Sequence, residues 1–330
     1  MMGFPTSSRR RPAPSELIAG VRTGSFRAIG QAISVLESGG PEKLELVAGL
    51  MPATGGAKRV GVTGPPGAGK STLVDQMAAN LRARGEKVGI LCVDPSSPFT
   101  GGAILGDRIR MQGLATDPGV FIRSMATRGA MGGLAEATRD AMDVLDAAGF
   151  HWVLVETVGV GQDEVEIVST VDTVAVVVVP GLGDDIQAMK AGVMEIADLF
   201  VLNKSDREGA DRTFKDLAML LSLAESPPEG WQPRIVRTVA SKGEGIEELV
   251  NQVLEHQAYL EQSGQLLERR TGQLRARVES ILQHRVLEAA RAAGLEAQVR
   301  AAAVRREDPY RLAEDLFRSV CQSYAGELVP

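Results

Sequence analysis

The stretch that most constrains this chain is Arg59–Leu73, RVGVTGPPGAGKSTL. An apolar run, Val60–Val62, breaks at Gly64 into Gly-Pro-Pro-Gly-Ala-Gly-Lys-Ser, after which a helical pattern resumes through Leu73, Val74 and Met77. Strand, glycine-rich turn and helix in that order make a phosphate-binding loop. Gly64, Gly67, Ala68 and Gly69 let the backbone turn with its N–H groups inward, and the helix that follows adds unpaired donors of its own, so the loop suits one anionic guest. Lys70 supplies a point charge for the terminal phosphates. Ser71 sets a hydroxyl where a magnesium ion bridging those phosphates would sit, and Thr72 follows it into the helix. The chain is expected to bind a nucleoside triphosphate.

Bulk properties narrow what else it does. A net charge of −6 repels phosphate everywhere except at the loop, which argues against nucleic acid as a partner. Cys92 and Cys321 are far apart and neither belongs to a CxxC pair, so neither a disulfide framework nor a thiolate metal site is expected, and a reducing cytoplasm fits. The tail MMGFPTSSRRRPAPS is basic but leads into no apolar stretch, so it reads as a disordered tail and not as a signal peptide. The longest strongly apolar run, Val174–Val179, is too short to cross a bilayer, so no membrane segment is expected.

Along the chain the expected divisions are a tail over 1–14, a helical extension over 15–56, a nucleotide domain over 57–250 and a helical region over 251–330. In the extension, Phe26, Ile29, Ile33 and Leu36 form one helical stripe with Ser25 as its N-cap. Within the nucleotide domain, strands alternate with helices, which implies an α/β fold with a mostly parallel sheet and helices on both faces. KVGILCVD ends at Asp94, on the carboxyl edge where ligands of open α/β sheets collect, and a Pro/Gly/Ser-rich loop carrying Asp107, Arg108 and Arg110 follows. HWVLVE ends in Glu156 and runs on through Thr157-Val158-Gly159; an apolar strand closed by an acid and soon followed by glycine holds magnesium and touches the γ-phosphate. LFVLN leads into Asn203-Lys204-Ser205-Asp206, an element that reads guanine: the carboxylate accepts from the N1–H and N2–H₂ donors that adenine does not offer together. Ile235–Val239 is the expected last strand, with Ser241 and Lys242 completing the base pocket.

Beyond Ile246 only helices are expected: one to about Tyr259, a long one striped by Leu274, Val278, Ile281, Leu282 and Val286, and a last one capped by Asp308 with Leu312, Leu316, Phe317, Val320 and Tyr324 on one side. These faces need the nucleotide domain or a second subunit to cover them, which makes a C-terminal dimerisation arm a fair expectation.

Taken together, GPPGAGKST, VDPSSPFTGGAILGDRIRM, RSMATRGAMGGL, ETVGVGQ, PGLGDDIQAMKAGVMEIAD, NKSD and the late DPY resemble the MeaB/ArgK-type accessory GTPases of adenosylcobalamin-dependent methylmalonyl-CoA mutase, the methylmalonic aciduria type A family. The resemblance implies a P-loop NTPase fold and a homodimer that binds Mg-GTP and GDP, hydrolyses GTP slowly alone and faster with its mutase, and gates delivery of the cobalamin cofactor while protecting the mutase. A cobalamin adenosyltransferase is a further implied partner. Carried over by residue, Lys70 and Ser71 hold phosphate and magnesium, Asp94, Asp107 and Glu156 form the acidic magnesium and water shell, and Asn203, Lys204 and Asp206 hold the base. The implied switch stretches are Ser97–Met111, Thr157–Glu164 and Gly181–Lys190.

Val160 stands where many small GTPases carry a water-orienting glutamine, so intrinsic hydrolysis is expected to be slow, with Asp107 or Glu156 helping to order the water and a partner settling Arg108 or Lys190. Two other readings share the loop. A metabolic kinase of the arginine/ornithine transport type would phosphorylate a small acceptor; a nickel-insertion GTPase would carry a Cys or His cluster, and this chain has three histidines in all.

Overall fold

The computed structural model describes residues 12–94, 113–114, 116–126, 133–157, 170–181, 196–223 and 230–327. The expected tail lies outside them as far as residue 11, and Pro14 already opens the first helix. Seven strands form one sheet: β1 (Lys58–Thr63), β2 (Val88–Asp94), β3 (Val120–Ala126), β4 (Trp152–Thr157), β5 (Thr173–Val178), β6 (Leu199–Leu202) and β7 (Arg234–Arg237). Their order is β3-β2-β4-β1-β5-β6-β7 and every pairing is parallel. The apolar runs of the inner strands β2, β4, β5 and β6 are uninterrupted because helices cover both faces, which leaves no solvent side for alternate residues. β7 is shorter than the sequence implies: Val239 leaves the sheet to form a bridge with Glu244.

One face of the sheet is closed by α4 (Lys70–Ala83) and α7 (Ile246–Gln262), with Leu73, Met77, Leu81, Leu249 and Val253 in the core. The other is closed by α5 (Gly133–Ala147), α6 (Ala210–Leu223) and a layer made of α1 (Pro14–Arg22), α2 (Phe26–Ser38) and α3 (Pro41–Leu50). Ser25 caps α2 by accepting from the Ala28 amide, and Ile29, Ile33 and Leu36 are buried as the stripe required. Each such buried Leu or Ile contributes about 1.5–3 kcal/mol. The layer is also tied by charge: Lys43 of α3 reaches Glu136 and Asp140 of α5, and Arg123 of β3 reaches Glu37 of α2. The linker behind it is fixed by Asp146, which accepts from the Gly55, Gly56 and Ala57 amides.

The amino-terminal edge of the sheet carries a second ionic cluster, where α8 (Gln265–Ala292) begins. Arg269 donates to both oxygens of Asp198, at 2.9 and 3.0 Å, and Arg270 to both oxygens of Asp172, at 3.1 and 2.8 Å. His256 is fully buried between Asp198 and Thr173, with Trp231 stacked on it.

Residues 1–270 and 271–330 form two compact units. The second holds the rest of α8, then α9 (Leu295–Arg305) and α10 (Pro309–Glu327). The sequence reading had not separated α9; Gly294, at φ 90°, ends the long helix and opens it. Asp308 caps α10 by accepting from the Tyr310 amide at 3.0 Å. Leu316 and Val320 of the α10 stripe are buried, whereas Phe317 is half exposed. Among the described residues no helix is long and apolar enough to cross a membrane.

Burial works against charge on Asp198, but hydrogen bonds from His256 and Arg269 outweigh it and hold its carboxyl below the ordinary range. The carboxylate therefore stabilises the fold in full above about pH 4, the unfolded value, and that contribution is lost as pH falls through the depressed folded value. Asp198→Ala is expected to cost about 3–5 kcal/mol by removing the carboxylate that pairs with Arg269. Urea denaturation at pH 7 measures the loss, and the gap from the unmodified chain should narrow as the buffer is acidified.

Candidate functional site

The chain connections β1→β2 and β4→β5 leave the middle of the sheet in opposite directions, and the crevice between such connections is where ligands of open α/β folds bind. The phosphate loop leaves β1 at this point. Gly64 sits at φ 143°, and a β-carbon there would come within 2.3 Å of the Val177 carbonyl oxygen, so β5 admits only glycine. Lys70 is buried, its Nζ donating to the carbonyls of Gly64 and Pro65 at 2.7 and 3.0 Å. That ammonium lies within the loop itself, among the groups a polyphosphate would meet.

Ser71 Oγ donates to Glu156 Oε1 at 2.5 Å across the α4–β4 junction. A hydroxyl and a carboxylate side by side are hard oxygen donors, the set that magnesium takes in phosphate sites, so these residues fit that ion. Asp94 closes β2, in register with Ala126 of β3. Asp107, Arg108, Val160 and Lys190 lie outside the described residues, as do all of Ser97–Met111 and the switch stretches beyond Thr157 and Gly181.

The base-side residues converge on one atom group. The buried Asn203 amide donates from Nδ2 to the Ala68 carbonyl at 2.8 Å, while its Oδ1 accepts from Thr238 Oγ1 and the Ala240 amide, both at 3.1 Å. Those acceptor contacts fix which way the amide points. Gly69 must stay small for the same reason: at φ 90° its β-carbon would lie 2.5 Å from Asn203 Nδ2. Lys204, at φ 56°, crosses back to donate to the Gly67 carbonyl at 2.6 Å. Gly69, Thr72, Asn203, Asp206, Ala240 and Ser241 line a cavity of about 240 Å³ beside the loop. At its rim Lys242 Nζ donates to Asp206 Oδ2 at 3.0 Å, a hydrogen bond that holds the Asp206 carboxyl below the usual carboxylate range.

Three threonine hydroxyls to which the sequence assigns no bond belong here. Thr238 orients Asn203, and Thr157 Oγ1 donates to Thr63 Oγ1 at 2.9 Å between the tips of β4 and β1. A β-branched residue is ordinary in a buried strand, so only its hydroxyl, set among valines, could have marked these positions.

The sequence profile of the family described as "Methylmalonyl Co-A mutase-associated GTPase MeaB" matches residues 29–295. A Pyrococcus horikoshii protein given a provisional GTPase name is 52% identical over 269 residues, spanning 81% of this chain and 85% of its own. GTPase ArgK of Escherichia coli is 39% identical over 76% of this chain and 78% of its own, and the mitochondrial methylmalonic aciduria type A homolog of Mus musculus is 33% identical over 86% and 72%. The crystal structure of a LAO/AO transport system kinase superposes with a TM-score of 0.71 at 27% identity, covering 96% of this chain and 99% of the other.

Thr238→Val keeps the volume but removes one of the two donors to Asn203 Oδ1, and a lost buried hydrogen bond costs about 1–3 kcal/mol. Guanine-nucleotide affinity, measured by calorimetry, is expected to fall roughly tenfold or more, with the secondary structure seen by circular dichroism unchanged.

Proposed function

The chain belongs to the MeaB family of mutase-associated GTPases, and from that membership we propose that it binds Mg-GTP, hydrolyses it, and uses the cycle to gate delivery of adenosylcobalamin to an acyl-CoA mutase and to protect that enzyme. Of the observations above, the one that carries the reading is the Asn203 amide bound to Ala68, because it joins the guanine-reading tetrapeptide to the phosphate loop in one rigid body. Glycine amides and Lys70 grip the phosphates. Asp206 accepts from two guanine donors that adenine does not offer together, which sets the preference. Ser71 and Glu156 would hold magnesium, and the family resemblance adds Asp94 and Asp107 to that acidic shell; the ion would neutralise charge gathering on the transferred phosphoryl group.

With Val160 unable to orient water, turnover by the isolated chain is slow. Glu156 or Asp107 orders the nucleophile once a partner has settled Arg108 or Lys190. The partner in this proposal is an adenosylcobalamin-dependent acyl-CoA mutase, methylmalonyl-CoA mutase first among them, with a cobalamin adenosyltransferase feeding the same complex. The working form is a homodimer in the cytoplasm, joined through the C-terminal helices, where Leu274, Leu282 and Phe317 are about half exposed.

The kinase name of the similar crystal structure supports a second reading, in which the same loop phosphorylates a small acceptor. Products separate the two. Incubation with GTP, alone and with the mutase, is expected to release inorganic phosphate in both cases, faster with the mutase; a phosphorylated acceptor without phosphate release would favour the kinase. Asp206→Asn is expected to weaken GTP binding at least about tenfold and to erode the preference over ATP. An unchanged preference in competition binding would remove the guanine assignment.

A further inference from the structure

Beyond its ladders to β1 and β2, β4 makes a side-chain hydrogen bond from each of its last two residues, one on each face of the sheet. Neighbouring side chains on a strand point to opposite sides, so Glu156 and Thr157 diverge. Val62, in register with Glu156, packs in the α4-side core together with Cys92, its register partner on β2. Val93, in register with Thr157, and Val176, in register with Thr63, pack in the opposite core. On the α4 side Glu156 accepts from Ser71; on the other side Thr157 donates to Thr63.

Both anchors come from the two ends of the phosphate loop. Thr63 immediately precedes Gly64, and Ser71 immediately follows Lys70. The loop thus grips consecutive residues of β4 from opposite faces of the sheet. Valine at 63 and 157 would fill the same space in a valine layer, with equal liking for a strand and no hydroxyl to bury, so packing alone gives no reason for the threonines. Thr63 and Thr157 are 2% and 0% exposed, so the hydroxyl pair is shielded from solvent.

We propose that the Thr63–Thr157 hydroxyl pair is a positioning device that holds the Glu156 carboxylate at Ser71, and so sets the magnesium affinity of the nucleotide complex. The inference rests on the nucleotide reading above. Glu156 is the penultimate residue of β4 and Thr157 the last. The backbone ladder to β1 and β2 holds the strand itself, and the hydroxyl pair adds a side-chain tie on the face opposite Ser71 that limits local tilting of this end, the motion that would draw the carboxylate off the hydroxyl. With the tie, any shift of the phosphate loop moves Glu156 with it.

The experiment measures release of a fluorescent GDP analogue from the full-length chain as magnesium is titrated, which reads the ion's grip without any turnover. Thr157→Val is expected to raise the half-saturating magnesium concentration about tenfold, while affinity measured in excess EDTA stays as in the unmodified chain. Thr157→Ser keeps the hydroxyl and gives up the methyl, so it restores normal magnesium dependence. The double variant Thr63→Val/Thr157→Val should be no worse than Thr157→Val alone, the mark of one shared interaction. Normal magnesium dependence in Thr157→Val, or a defect in Thr157→Ser as large as in Thr157→Val, overturns the proposal and leaves the nucleotide reading intact. An unmodified chain that fails to bind the GDP analogue overturns both.

Discussion

A single buried amide holds the candidate site together. Asn203 bridges three segments that are remote in sequence: the phosphate loop through Ala68, the turn after β6 through its own backbone, and the segment after β7 through Thr238 and Ala240. An amide is suited to this because it offers donors on one side and an acceptor on the other, and each is filled by a group of the right kind. In a buried site a missing partner costs about 1–3 kcal/mol, more than a filled one gains. The consequence is mechanical: the pocket for the base and the cradle for the phosphates keep their spacing because one planar group sets it.

The same rule governs the charges that surround the nucleotide domain. Four acids on α5 are buried, and Lys43, Arg59 and the amides of residues 55–57 meet three of them, Glu136, Asp143 and Asp146, while Lys43 also meets the fourth, Asp140. On the amino-terminal edge, the adjacent Arg269 and Arg270 pair with Asp198 and Asp172 and lock the beginning of α8 to the residues that open β6 and β5. Ion pairs of this kind add little net stability over apolar packing, but they penalise every arrangement that leaves one charge behind. They account for why a helical extension and a helical exit stay registered on the same sheet whose opposite edge carries the chemistry.

Function in such a fold resides in the loops at the carboxyl edge, since parallel α/β sheets with helices on both faces serve many activities. What distinguishes this chain is the concentration of polar order at one end of β1 and β4. Lys70 and Ser71 at the start of α4 meet Glu156 and the hydroxyl pair at the tips of β4 and β1, and Asn203 is bonded to the same loop. A switch built here would act through strand ends and not through the core, because the core on either side is closely filled by Val, Leu and Ile.

The chain's sequence by itself determined the strands, the phosphate loop and the family, because each depends on neighbours within a few residues: a turn needs its glycines, a strand its apolar run, a helix its cap. It also placed Ser25 and Asp308 as caps, since a cap bonds an amide two or three positions away. It could not show α9 as a separate helix, because a glycine inside a helical pattern breaks it only if the chain then turns. Only the tertiary structure decided which polar groups meet. Thr63 and Thr157 are 94 residues apart, Asp198 and Arg269 are 71 apart, and Arg270 and Asp172 are 98 apart. Nothing local distinguishes these threonines from strand formers or these arginines from a solvated helix face; strand order and register bring them within bonding distance, and both are properties of the folded sheet.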